Sequence, residues 1–226
     1  MSRLRLSPNS ANNNMVNDIY VSLKQDILWL RLKPQTMLTE TYLADIYKTS
    51  KTPIREALSM LVRDELVSVF PRKGYMVTDV SLNDMRDMHQ YRYILENANL
   101  VHAVKYATKE QLEHLDELAE KDRFYAEEEP HFSNEVMSNN AFHFYLAEMT
   151  GNRILLKQLT DTLEKLQRVM VFVAEKNYMF RGCEEHHQLV RHIANKELEK
   201  AQIVLHHHIS EVLEHITNVR SLSKLF

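Results

Sequence analysis

The sequence predicts a mostly α chain: an N-terminal helix-turn-helix with a small β wing, followed by an all-α antiparallel helical bundle. Three observations carry this. Residues 38–78 hold two short helical patterns separated by a turn, then two apolar runs either side of Pro71-Arg72-Lys73-Gly74. Beyond residue 80, apolar residues recur every three or four positions as far as Ile216, with no strand pattern. A length of 226 residues exceeds what a winged helix needs and fits two domains.

In chain order, residues 1–14 contain Ser7-Pro8-Asn9-Ser10 and Asn12-Asn13-Asn14, lack periodicity, and are expected to form a disordered arm. Residues 15–79 form the first domain. Thr39-Glu40-Thr41 opens a short helix on which Leu43, Ile46 and Tyr47 share a face, and Lys48-Thr49 makes the turn. The second helix opens within Ser50-Lys51-Thr52-Pro53-Ile54-Arg55, where Thr52 is the expected cap and Pro53 lies in the first turn. Lys51 and Arg55 add positive charge to the positive end of the helix dipole, so this end suits an anion such as a DNA phosphate. Leu66–Phe70 and Tyr75–Thr78 are strands of a two-stranded wing, with Arg72 and Lys73 at its tip.

Residues 80–220 read as six helices, about 82–106, 109–127, 132–149, 152–179, 182–194 and 196–217, with 221–226 as a tail. Ser81-Leu82-Asn83-Asp84 and Thr108-Lys109-Glu110-Gln111 are capping boxes, and Glu129-Pro130 and Gly151-Asn152 are breaks. Polar residues fall on seams that should be buried. The third helix runs Phe132, Val136, Asn139, His143, Leu146; the fifth puts His186 in step with Leu189 and Ile193; the last runs Leu198, Ala201, Leu205, His208, Val212, His215. Periodicity selects His208 from the run His206-His207-His208. Three inward histidines with an amide, drawn from three helices, suit a divalent metal ion of the zinc, nickel or manganese type. Arg92, in the series Met85, Met88, Arg92, Leu95, is an inward charge whose partner is either Glu96 or the carboxylate of a small ligand.

Composition excludes other classes. The only glycines, Gly74, Gly151 and Gly182, leave no glycine-rich phosphate loop. A single cysteine, Cys183, rules out an internal disulfide, and there is no 18-residue apolar run, so a cytosolic protein with no membrane partner is expected. The net charge is −3, yet residues 1–80 hold 11 Lys and Arg against 8 Asp and Glu, and the remainder 17 against 23. The basic part is the part with the wing.

The Pro34–Thr78 stretch, with its SKTPIREAL segment and Arg72-Lys73-Gly74 wing, resembles the GntR superfamily of bacterial winged-helix regulators. Asn139-Asn140-Ala141-Phe142-His143, Thr150-Gly151-Asn152, Glu185-His186-His187-Gln188-Leu189 and Ala201 to His208-Ile209 are similar to the ligand-sensing FCD domain of its FadR-like branch. The resemblance implies a homodimer that binds inverted-repeat operator DNA, with Thr41, Ser50, Lys51, Thr52, Pro53, Arg55, Arg72, Lys73 and Gly74 at the interface. It further implies a divalent ion on Asn139, His143, His186 and His208, a small anionic effector near Arg92, and repression relieved by that effector. The chain departs from the family pattern at three places: Lys51 for arginine, Asp64-Glu65 where a glycine is common, and Asn139 for aspartate. Two other classes fit these residues less well. A metal-dependent enzyme acting on small acids needs a general base, and the seams show no pair of carboxylates to supply one. A helical protein-interaction adaptor would leave the cations of residues 51–73 unused.

Overall fold

The structure, a computed structural model, describes residues 8–79, 82–127, 132–174 and 183–218. The chain separates into two compact units, Met1–Asp79 and Val80–Phe226.

The first unit is built from α1 (Pro8–Leu28), β1 (Met37–Leu38), α2 (Glu40–Tyr47), α3 (Lys51–Arg63), β2 (Val67–Phe70) and β3 (Gly74–Val77). Val16, Ile19, Leu23 and Ile27 recur along one face of α1 and pack with Ile54, Ala57, Leu58 and Leu61 of α3 into a single apolar core. Residues 8–14, expected in a disordered arm, lie in α1. Their asparagines are poor helix formers, but extending a helix already anchored at Val16 costs far less than starting one. On α2 the buried positions are Leu43 and Ala44, whereas Ile46, expected on the same face, is 52 % exposed. Lys48 closes α2 in the left-handed region at φ 49°, its N–H donating to the Ala44 carbonyl.

The wing is three-stranded rather than two-stranded, in the order β1-β3-β2 and antiparallel throughout. Met37 and Leu38 pair with Met76 and Tyr75, an edge too short to leave a period in the sequence. Gly74 sits at φ +117°, and a Cβ placed there would lie 2.4 Å from the Leu38 carbonyl oxygen. Only glycine lets β1 approach this closely.

The second unit comprises α4 (Leu82–Tyr106), α5 (Lys109–Glu127), α6 (Phe132–Glu148), α7 (Arg153–Ala174), α8 (Cys183–Ala194) and α9 (Leu198–Asn218). The helix α4 packs on α9, α7 and α6, and α5 packs on α6 and α8. Its main core joins Leu100, Leu115, Phe142, Leu146, Leu189, Leu205 and Ile209. Thr108 and Gln111 cap α5 reciprocally at 3.0 and 3.2 Å, and the Asn152 side chain accepts from the amides of Ile154 and Leu155 to cap α7. The expected capping box at Ser81, the break at Glu129-Pro130, the stretch 175–179 and the side chains of Val212 and His215 lie outside the described residues. Among the described residues no helix is long and apolar enough to cross a membrane.

One stripe of α4, His89, Arg92, Glu96 and Asn99, is buried although polar, and the expected Met88 is only half-buried beside it. Both ring nitrogens of His89 are buried without a hydrogen-bond partner. Burial, reinforced by the nearby Arg92 charge, pushes His89 down to about 3. The unfolded chain therefore takes up a proton near pH 6.5 that the folded chain refuses until about 3, so stability falls as pH falls across that window. Replacing His89 with Leu is expected to flatten the stability–pH slope there by up to about 1.4 kcal/mol per pH unit. Urea unfolding at a series of pH values measures it; an unchanged slope would mean that His89 protonates freely in the fold.

Candidate functional site

Three imidazoles converge in the bundle. His143 comes from α6, His186 from the first turn of α8 and His208 from α9, at 0, 0 and 3 % exposure. The Nε2 atom of His143 lies 3.0 Å from Nε2 of His208 and 3.3 Å from Nε2 of His186. The ring of His186 is also stacked on Phe142, centroids 4.0 Å apart, which fixes its plane. His206 and His207, beside His208 in sequence, are exposed.

Behind each ring stands a carboxylate. Glu96 Oε2 accepts from His143 Nδ1 at 2.5 Å, Asp122 Oδ2 lies 2.9 Å from His186 Nδ1, and Glu185 Oε2 lies 3.5 Å from His208 Nδ1. The latter two approaches are out of line for hydrogen bonds, and both nitrogens are buried without one. Asp122 is held in turn by the Ser138 hydroxyl at 2.7 Å. Burial would raise the pKa of Glu96, Asp122 and Glu185, but the histidines they face, with Arg92 for Glu96, hold all three below the ordinary carboxylate range. Burial also pushes His143 down to about 3, against the opposing pull of Glu96, and lowers His208. His143 is thus a neutral imidazole whose Nδ1–H is committed to a carboxylate, leaving a lone pair on Nε2.

This donor set fits a divalent cation. The buried nitrogens of His143, His186 and His208 lie within 4.8 Å of one another, and the carboxylate–imidazole arrangement behind them is the one that orients histidine ligands and raises their basicity. Asn139, one turn before His143, is half-buried and its amide donates to Asn140 Oδ1 at 3.4 Å. The seams were expected to lack carboxylates; in fact Glu96 and Asp122 are buried at the centre. Sequence reasoning named Glu96 only as a partner for Arg92 and missed Asp122 and Glu185, because an acid on a charged helix gives no sign of which face it takes. Each carboxylate stands on the far side of a histidine from the converging nitrogens, and Glu96 holds its ring there by a hydrogen bond.

Arg92, 1 % exposed, pairs with Glu96, one of the two partners that the sequence left open, and also reaches a histidine that the sequence did not name as its partner. Its Nε donates to Glu96 Oε1 at 2.6 Å, and its Nη2 reaches His143 Nε2 at 2.9 Å. The guanidinium places positive charge at the nitrogen that a cation would take.

On the first unit, Thr41, Ser50, Lys51, Thr52, Arg55, Arg72 and Lys73 are exposed, whereas Pro53 is buried and Gly74 half-buried. The α3 helix starts at Lys51 with Ser50 as its cap, extended at φ −76° and ψ 166° and making no side-chain cap bond. Thr52, expected as the cap, is inside the first turn. Pro53 at the third helical position still wastes nothing, because the first four amides of a helix have no intrahelical acceptor. Its ring is buried, and Gly74 serves the sheet contact described above. Arg55 forms a two-pronged pair with Glu40, Nε to Oε1 at 2.8 Å and Nη2 to Oε2 at 2.7 Å, which aims an exposed guanidinium from α3 across α2.

Comparison with known proteins bears on both units. Residues 15–77 match the family model "Bacterial regulatory proteins, gntR family" and residues 87–211 match "FCD domain". The HTH-type transcriptional regulator YdhC of Bacillus subtilis is 27 % identical over 205 residues, covering 87 % of this chain and 90 % of that protein. The Nta operon transcriptional regulator of Aminobacter aminovorans is 28 % identical over 190 residues, 80 % of this chain and 87 % of its own. Among solved structures, E. coli McbR/YncC superposes with a TM-score of 0.71 at 23 % identity, covering 93 % and 96 % of the two chains, a likeness of fold.

Proposed function

From the premise that the chain belongs to the GntR family of bacterial regulatory proteins and carries an FCD domain, we propose that its operator binding is controlled by a small carboxylate metabolite acting with a divalent metal ion in the bundle. It is a transcriptional regulator rather than an enzyme. The single observation that supports metal-assisted sensing is the convergence of three buried Nε2 atoms, each ring backed by a carboxylate, with a buried guanidinium at 2.9 Å.

His143, His186 and His208 would hold the ion, with the Asn139 amide as a fourth donor. When bound, the ion supplies Lewis-acid attraction for a ligand oxygen. The other roles belong to the chain. Glu96, Asp122 and Glu185 keep the Nε2 lone pairs facing inward, and Arg92 gives up its contact with His143 while keeping Glu96, so its Nη2 is free for the effector carboxylate. A neutral Asn139 leaves the centre one negative charge short of an aspartate centre, and an anionic effector supplies it. Effector and ion together favour a bundle arrangement that alters operator affinity, with repression relieved as the outcome.

Calorimetry with a panel of sugar acids, hydroxy acids and dicarboxylates tests this. Asn139→Asp is expected to tighten the metal and weaken the anion. A neutral compound as the preferred effector, or an anion indifferent to Asn139→Asp, overturns the reading.

DNA binding is proposed to use a homodimer on an inverted repeat, through the exposed first turn of α3 and the wing. Arg55→Ala is expected to cost about 1–3 kcal/mol of operator affinity, and Lys51→Ala to weaken all sequences alike and lower the salt slope by about 1. Fluorescence anisotropy across a salt series separates the two; an Arg55 variant with unchanged affinity removes that residue from the interface.

A further inference from the structure

Adjacent to the histidine centre, the start of α8 and the middle of α9 bring together Glu185, His207 and Glu211, whose ligand atoms all lie within 4.8 Å of one another. His207 and Glu211 are four residues apart and therefore share one face of α9. Glu185 reaches them from α8, its Oε1 3.0 Å from His207 Nδ1. The same carboxylate turns its other oxygen inward: Oε2 is buried, has no hydrogen bond, and lies 3.5 Å from Nδ1 of His208. Glu185 thus forks between two neighbouring imidazoles, one exposed and one 97 % hidden, because consecutive residues of a helix point about 100° apart.

We propose that Glu185, His207 and Glu211 form a second, outer site for a divalent transition-metal ion, joined to the buried histidine centre through the shared carboxylate of Glu185. The donors are one imidazole and two carboxylates, a borderline-to-hard set that takes zinc, nickel, cobalt or manganese. Two carboxylates give the site acidic oxygen ligands that the three inner imidazoles do not offer. In the structure Glu185 Oε1 lies 3.0 Å from His207 Nδ1, and a bound ion would sit between these two ligand atoms. The outer site is the weaker of the two, because His207 is 68 % exposed and held only from one side. Because Glu185 is also the acid behind His208, an ion on Oε1 draws on the group that sets His208 basicity, and the two sites are coupled.

Zinc titration of the chelator-treated full-length protein, followed by calorimetry and by equilibrium dialysis, tests this. The wild type is expected to take up two ions per chain. His207→Ala, a surface change, should take up one, and His206→Ala should keep both. Glu185→Gln should lose the outer ion and hold the inner one about 10–100-fold more weakly, a double effect that His207→Ala lacks. His208→Ala should lose the tight ion and retain the outer one. Two ions in His207→Ala overturn the proposal. A single wild-type ion lost in His208→Ala overturns it while leaving the inner centre standing, and a single ion lost only in His207→Ala supports the outer site and removes the inner one.

Discussion

Replacing Arg92 with Ala is expected to destabilise the bundle by about 3–5 kcal/mol, the range for breaking a buried ion pair by removing one partner. The cause is Glu96. At 0 % exposure its carboxylate is held by Arg92 Nε at 2.6 Å and by His143 Nδ1, and without the guanidinium it remains buried beside a neutral imidazole. Urea unfolding at pH 7 measures the loss, and a change below about 1 kcal/mol would show that the pair is replaceable by solvent entry. The double variant Arg92→Ala with Glu96→Gln should recover part of the loss, because no charge is then stranded. This changes how an effector role for Arg92 is to be tested. The alanine variant confounds folding with binding, whereas Arg92→Lys keeps the charge and removes the fork, so weaker effector binding at near-normal stability isolates recognition from support.

Saturating divalent metal is expected to stabilise the wild type by about 2.7–4.1 kcal/mol at 100–1,000 times the dissociation constant, and a chelator to reverse it. His208→Ala should abolish the part of the chelator-sensitive melting-temperature shift that comes from the tight inner ion, since it removes one of three converging nitrogens. His206→Ala should leave it nearly intact, as that ring is exposed and stands edge-on to Tyr93 at 5.2 Å. Equal responses of the two variants would show that burial had selected the wrong ring. The shift is to be read in thermal unfolding with and without chelator at fixed protein concentration.

The architecture was legible where periodicity and caps agree. The α5 helix begins at a reciprocal Thr108–Gln111 box, and the seam on α9 separates buried His208 from exposed His206 and His207. The elements that escaped lack such marks. The β1 strand is two residues long and exists because Leu38 and Gly74 can touch. The start of α1 is asparagine-rich, and packing further along carries it. At the buried centre the histidines were readable because an imidazole on an apolar seam is conspicuous. Their carboxylates were not, since Asp122 and Glu185 lie among other acids and only the approach of α5 to α8, and of α8 to α9, decides which one turns inward. The cap of α3 was misplaced by two residues for a related reason. Ser50 and Thr52 are both favoured cap residues, Ser the more so, and the extended backbone lies at Ser50.

Ser50 also leaves the α3 start incomplete. The side chain bonds none of the first amides, and Pro53 has none to offer, so the amides of Lys51 and Thr52 face outward. A helix start with unpaired amides carries partial positive charge that a negative group can satisfy. If this end meets operator DNA as proposed, a backbone phosphate would act as the missing cap, and its position would be fixed by the same turn that carries Lys51 and Arg55.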